Sequence, residues 1–545
     1  MQHPFAMAGL LAAFVCTPVS VCASQPELDG PVTVTVDFAR HGNIMAPRAM
    51  GIHTSIYDGD MTSEAGLPLL RNAGITTLRY PGGGYSDNYH WSTHKMTYWK
   101  TNPQNVGYVA PHTGFGEFAR YVEKLGGTSI ITVNYGSNLQ GKGPGEPKEA
   151  AAWVAYANAL PNDTRVIGVD GAGNDWKTVG YWASMRASQP LATDDGYNFL
   201  RIGHPAPFNI KYWEIGNELF GNGYYAKDDT GGFEEDLHAP YAQNEHDNPK
   251  IRAKNPKLSP FAYGEGVVEF SKAMKAVDPR IWTGAVLNTP PADNSWGPDW
   301  NPEVMRACGS VVDFVIIHWY TGALLPPDWK KLDNANFLDT PHSELPQMIA
   351  SLLELFKKYA PGRNVGFAVT EMGARPYSQV TDPYVHGLFA ADAYASLIED
   401  GVNNIDWLEL HANQFLAPGN APNDGVQGTA YYGIQMVHHL LNWNDAMVMS
   451  KSSNALVSAH AALRRDGSMG VMLINKDPKN TATVKLKLND ATGINLTGTR
   501  FVWGKSVAPE KAMVHQEPFT APGSSFTVQV PPYSIVDLSF PKLSN

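Results

Sequence analysis

Two glutamates, Glu218 and Glu371, each close an apolar run: Lys211-Tyr-Trp-Glu-Ile-Gly-Asn-Glu218 and Gly366-Phe-Ala-Val-Thr-Glu371. A carboxylate at the end of an apolar strand is expensive to bury without a partner, so such a residue more often faces a cleft. Two carboxyls reaching one cleft from separate strands are equipped to break a glycosidic bond. One protonates the departing oxygen, and the other attacks the anomeric carbon as a carboxylate. These roles require Glu218 protonated while Glu371 is ionised, so their surroundings must push the two acidities apart. Asn217, beside Glu218, adds an amide suited to a sugar hydroxyl. The opposing reading is that both belong to the solvated surface, as most of the 52 Asp and Glu residues do. The strand-end position tells against it.

Other groups with chemical potential fall at strand ends too. Arg79 precedes Pro81-Gly-Gly-Gly84, and a guanidinium near Glu371 would favour its ionised form. No Gly-Lys-Ser/Thr follows the glycines, so they are not a phosphate cradle. They read instead as close backbone approach at a pocket floor. Asn134 and Tyr135 end one strand, and His318 and Tyr320 end another. The Tyr320 hydroxyl is placed to bond the nucleophile, while His318 fits a sugar contact and a satisfied core histidine equally. Trp407 and His411 end the last strand, with Trp407 read as a platform under a sugar ring and core packing as its alternative. Asp87, Tyr89, Trp91, Trp296 and Trp300 are candidates for outer sugar contacts. Glu214, four residues before Glu218, reads as a structural carboxylate one layer deeper.

Eight strand-like segments must position these groups: Ala49–Ile56, Thr76–Tyr80, Ser129–Tyr135, Ile210–Ile215, Trp282–Leu287, Phe314–Trp319, Val365–Thr370 and Ile405–Leu410. Helical patterns alternate with them, clearest in Lys148–Leu160, Tyr263–Val277, Leu345–Tyr359, Tyr384–Glu399 and Tyr431–Leu441. Eight such units predict a (β/α)8 barrel over residues 48–442, whose strand C-terminal ends carry the chemistry. Glu218 then follows strand 4 and Glu371 follows strand 7, on roughly opposite sides of the mouth. After Asn442 only short alternating segments and turn signals remain, which predicts a β-sandwich over 443–545. Val32–Phe38 also alternates, so the N-terminal segment 24–47 is expected to join that sandwich.

The 545 residues exceed one ordinary core, which implies two or more domains. A net charge of −11 argues against nucleic acid as partner. Residues 1–23 read as an export signal, with an apolar stretch, Met7–Val15, and a Val21-Cys-Ala23 cleavage site, although no Lys or Arg precedes the stretch. The stretch is too short to span a bilayer. Beyond it Cys308 is the single cysteine, which rules out an internal disulfide and fits a secreted or periplasmic protein with a self-sufficient core. The insertion 221–259 holds Asp228, Asp229, Glu234, Glu235, Asp236 and His238. Its order lacks a calcium-loop pattern, so it reads as a solvated acidic loop, and no metal or cofactor is expected.

Leu78-Arg-Tyr-Pro-Gly-Gly-Gly84 with Tyr89-His-Trp91, Lys211 to Glu218, and Asp313-Phe-Val-Ile-Ile-His-Trp-Tyr320 resemble clan A glycoside hydrolases. The nearest resemblance is to family 51, the α-L-arabinofuranosidases, in a secreted bacterial branch. It covers nearly the whole chain after the leader. It implies Glu218 as acid/base, Glu371 as nucleophile, Asn217 as a contact to the sugar 2-hydroxyl, and Arg79 and Tyr320 as supports of the nucleophile. One departure stands out. Family members usually carry a Glu-His pair after strand 1, where this chain has Gly51-Ile-His-Thr-Ser-Ile-Tyr-Asp58. The continuation Glu371-Met-Gly-Ala-Arg375 differs as well. The catalytic groups therefore carry over better than the sugar preference, which leaves endo-β-glucanase, β-xylosidase and β-glucuronidase activities open. A carbohydrate-binding protein without turnover is the alternative of another class, disfavoured because it would not need both carboxylates.

Overall fold

The computed structural model describes residues 28–96, 108–220, 236–239, 255–290, 300–321, 333–373, 380–416, 427–505 and 513–543. The expected export signal, Trp296, Arg375 and most of the acidic insertion lie outside them.

Eight parallel strands close into a barrel: Met50–His53, Thr77–Tyr80, Thr128–Val133, Tyr212–Ile215, Trp282–Val286, Phe314–Tyr320, Gly366–Gly373 and Asn404–Trp407. They follow one another around the ring in chain order, and the last pairs with the first. Nearly every strand residue is buried. That explains their apolar runs, because helices cover the outside and side chains fill the inside. The helix Leu345–Tyr359 shows how the outer ring is specified. Leu345, Met348, Ile349, Leu352 and Phe356 form its buried stripe, and Lys357 and Lys358 sit in its last turn, where cations suit the helix dipole. Pro383–Glu399 is buried almost along its length because it lies between the barrel and a second sheet. The Asp382 side chain caps its start by accepting from the Tyr384 N–H.

That second sheet has nine strands. From edge to edge they run His515–Thr520, Thr497–Gly504, Ser534–Phe540, Met469–Asn475, Val457–Leu463, Ala446–Ser452, Val32–Ile44, Ala482–Asn489 and Ser525–Val530. The sheet folds over on itself as a sandwich, so that Phe519 from one edge strand and Phe526 from the other have ring centres 5.7 Å apart. The strand Val32–Ile44 alternates buried and half-buried as far as Phe38. It pairs antiparallel through Val34 with Ser452 and parallel through Val32 with Val484. The N-terminal strand is thus an interior strand of the C-terminal domain, as its alternation predicts.

A polar cluster joins the two domains. Asp392, fully buried on Pro383–Glu399, accepts from Ser458 at 2.7 Å and lies 2.8 Å from His460 Nε2, 3.2 Å from His342 Nε2 and 3.5 Å from Lys476 Nζ. Burial would lower the pKa of His460, but Glu399 and Asp392 outweigh it and hold the imidazole up at about 10.

Candidate active site

The ends of strands 2, 4, 6 and 7 converge on Arg79. Its guanidinium is fully buried, which is tolerable only with partners. Nε donates to Glu214 at 2.8 Å, one terminal nitrogen donates to Glu371 at 2.8 Å, and the other donates to Asn217 Oδ1 at 2.8 Å. Glu214 also accepts from Thr132 at 2.5 Å, so it fills the barrel interior as its spacing predicts. Asn217 is anchored twice, since its backbone N–H donates to Asp87 at 3.0 Å. Its amide oxygen is taken by Arg79, which turns the NH2 into the group available to an incoming hydroxyl.

Glu371 sits in strand 7 with both oxygens engaged. Arg79 holds Oε1, and the Tyr320 hydroxyl donates to Oε2 at 2.5 Å. Burial alone would raise its pKa, yet His318, Arg79, His53 and the Tyr320 hydrogen bond bring the carboxyl down to about 2. Glu371 is therefore ionised at neutral pH, as a nucleophile must be.

Glu218 follows strand 4 in a left-handed backbone conformation, φ +41°, two residues after Gly216 at φ +76°. A side chain at Gly216 would press on Leu219 at 2.6 Å and Tyr135 at 3.0 Å. The turn thus requires glycine there and swings Glu218 into the mouth. Glu218 Oε1 lies 2.6 Å from His318 Nδ1, which in turn lies 3.5 Å from Glu371 Oε2. One oxygen of each glutamate and a ring nitrogen of His318 all fall within 4.8 Å of one another. Burial opposes a charge on His318, but Glu371 and Glu218 outweigh it and raise its pKa. Three ligand atoms so close could face a cation, but the Arg79 guanidinium on Glu371 opposes one electrostatically.

The glycine run does what its sequence suggests. A Cβ at Gly83 would lie 2.8 Å from Glu371 Oε1, so only a bare backbone can pass beneath the carboxylate.

The structure gathers Glu218, Glu371, Arg79, Asn217, His318 and Tyr320 into one site. It places the other candidates elsewhere. Trp407 is fully enclosed, with its ring centre 6.1 Å from that of Phe389 and its indole N–H donating to Asn413, so it is core and not a sugar platform. Asn134 spends its amide on the Tyr89 carbonyl, the Ser137 hydroxyl and the Ser137 N–H, and so shapes its loop. Asp87 is buried and accepts from the backbone of Asn217 and Tyr135, which makes it a support of the strand 4 turn. Tyr89, Trp91 and Trp300 are buried as well, with Trp91 stacked at 5.7 Å on Trp153. Aromatic residues near a strand end serve packing as readily as binding, and composition cannot separate the two. His411 lies 2.6 Å from Asp58.

Two residues of the site went unread in the sequence. His53, at the end of strand 1, lies 3.0 Å from Arg79 and 4.0 Å from Glu371. Burial and Arg79 drive its pKa down to about 3, so it is neutral. Glu409 follows strand 8 and accepts from Ser55 and Tyr57. Its signal was the one that exposed Glu218 and Glu371, a carboxylate just past an apolar strand.

Residues 69–321, a little under half of the chain, match the α-L-arabinofuranosidase 1 domain, so the chain is arabinofuranosidase-like over that stretch. A probable α-L-arabinofuranosidase C from Aspergillus fumigatus is 29% identical over 181 residues, which cover 31% of this chain and 28% of that protein. The chain thus spans less than a third of the length of that relative. An intracellular exo-α-(1→5)-L-arabinofuranosidase from Halalkalibacterium halodurans is 22% identical over 312 residues, covering 53% of this chain and 46% of that one. Among solved structures, the family 51 α-L-arabinofuranosidase of Thermotoga petrophila superposes with a TM-score of 0.66 at 20% identity, over 93% of this chain and 99% of that one. A family 44 xyloglucanase from Paenibacillus polymyxa superposes at 0.57 with 15% identity, over 94% and 99%. These two likenesses concern the fold.

Proposed function

We propose that the protein is a retaining glycoside hydrolase of arabinofuranosidase-like character, acting on plant or microbial polysaccharide through Glu371 as nucleophile and Glu218 as acid/base. The observation that carries this is the pairing itself. Glu371 is held ionised by Arg79 and Tyr320, and an oxygen of Glu218 lies within 4.8 Å of one of its own. Carboxyl groups about 5–5.5 Å apart suit direct attack, whereas about 6.5–9.5 Å would leave room for a water between them.

In the first step a Glu371 oxygen bonds to the anomeric carbon, the glycosidic C–O bond breaks, and Glu218 gives its proton to the leaving oxygen. In the second, Glu218 takes a proton from water, the water oxygen bonds to the anomeric carbon, and the Glu371 ester bond breaks. Arg79 stabilises the carboxylate before attack and after release. Tyr320 keeps Oε2 oriented, and Asn217 offers its NH2 to a ring hydroxyl. The apolar leader segment supports a protein that works outside the cytoplasm.

Proton NMR of the first-formed sugar tests the reading, and the same anomer as the substrate is expected. Rescue separates the glutamates. Glu218→Ala should still react with a dinitrophenyl glycoside and, with azide, give a glycosyl azide of unchanged configuration, because neither group needs the missing proton transfer. Inverted product from the wild type, or no azide adduct from Glu218→Ala, would refute the assignment.

A further inference from the structure

Glu409 has no part in the two-step reaction, yet it stands at the site. The neighbouring residues of its chain fix its place. The Leu408 N–H donates to the carbonyl of Met372, next to Glu371, and the Leu410 N–H donates to the carbonyl of His53. Glu409 is therefore held between the ends of strands 7 and 1, beside the nucleophile. Two hydroxyls grip its carboxyl. Ser55 donates to Oε2 at 2.6 Å and Tyr57 donates to Oε2 at 2.8 Å, while among the described residues Oε1 has only the Tyr57 hydroxyl at a longer 3.1 Å. Ser55 itself borders the glycine run, 3.2 Å from where a Gly82 Cβ would be, and Gly83 underlies Glu371.

We propose that Glu409, fixed by Ser55 and Tyr57, accepts hydroxyl hydrogens from the sugar whose anomeric carbon Glu371 attacks, and that it confines this position to neutral sugars. The inference rests on the hydrolase reading above. A carboxylate with open lone pairs is a strong acceptor for hydroxyls. It repels a second carboxylate, and a hexuronate would bring its own into a wall that already holds Glu409 and Glu371. Among the described residues the cations of the site are already engaged, since His318 faces Glu218 and Glu371. Each of the three Arg79 nitrogens is engaged within the protein, by Glu214, by Glu371 and His53, and by Asn217. His53 is neutral, so it supplies no positive charge either.

The test is direct binding, measured by calorimetry on the wild type and on Glu409→Gln with phenyl thioglycosides of L-arabinofuranose, D-xylose, D-glucose and D-glucuronate. At least one neutral sugar should bind the wild type, with the glucuronide at least about tenfold weaker. Glu409→Gln should weaken the neutral ligand by about tenfold to a hundredfold, the effect of one hydrogen bond to a charged group, and narrow the gap to the glucuronide. Glu409→Asp keeps the charge but withdraws it by one methylene, so it should lose affinity while still rejecting the glucuronide. The proposal is overturned if the glucuronide binds the wild type as well as any neutral sugar, if none of the ligands binds, or if Glu409→Gln leaves both affinity and discrimination unchanged. Neutral-sugar binding that depends on Glu409, in a protein that turns over no aryl glycoside, would sink the hydrolase reading and leave this one standing.

Discussion

Replacing Tyr320 with Phe removes one atom from the surroundings of Glu371, and its effect can be worked out in advance. The hydroxyl donates to Glu371 Oε2 at 2.5 Å and favours the ionised carboxyl. A hydrogen bond to a charged group contributes about 1.5–3 kcal/mol. At about 1.4 kcal/mol per pKa unit, its loss should raise the Glu371 pKa by about one to two units. The carboxyl would then titrate above its wild-type value of about 2. The sign follows from a depressed carboxyl. The wild-type advantage is present above the unfolded value and disappears as pH falls through the folded one. Activity at neutral pH should survive in part, because Arg79 still keeps Glu371 ionised, while the acid limb of kcat/KM moves upward. The assay is a pH–rate profile on an aryl glycoside, with circular dichroism at each pH to show that the fold persists. An acid limb that coincides with the wild type would refute the argument that Tyr320 tunes Glu371.

Arg79→Met should be among the most damaging single changes, since it leaves Glu214 and Glu371 buried without their shared cation. A loss of about 3–5 kcal/mol in urea unfolding is expected, along with activity; a loss under about 1 kcal/mol would mean water or protonation replaces it easily. At the domain junction, His460 has a raised pKa. Its contribution should be complete below its unfolded value, near 6.5, and fade as pH rises through about 10. The stability difference between wild type and His460→Gln should therefore shrink over that window, and a constant difference would exclude the linkage.

The barrel was legible because its strands are continuous apolar runs between helical periods, and burial on both faces leaves no other pattern. All eight expected strands overlap the observed ones, and Leu345–Tyr359 matches to the residue. The paired glutamates Glu218 and Glu371 were legible for a related reason: a carboxylate ending an apolar run needs a purpose. Roles that depend on direction were not. Trp407 ends its strand as a platform residue would, but its indole packs on Phe389 of the covering helix, and no spacing reveals which way a side chain points. Asn134 is similar, with an amide that closes its own loop. His53 and Glu409 act through partners on other strands, and such pairings are invisible until the barrel closes.

The strand Val32–Ile44 lies in the middle of the sandwich, flanked by Ala446–Ser452 and Ala482–Asn489. Almost the first stretch of the described chain thus waits for nearly the last. During synthesis the barrel can close around its own consecutive strands, but the sandwich cannot form until more than four hundred further residues have emerged. Until then Val32, Val34, Val36 and Phe38 expose the apolar edge that the finished sheet conceals. The same wiring makes the barrel a poor module to transplant. Cutting the chain after Leu440 would leave this strand without either neighbour and uncover the helix Pro383–Glu399, which packs against both it and Val457–Leu463. Truncation or fusion therefore has to treat the two domains as one unit, with the first strand acting as the clasp.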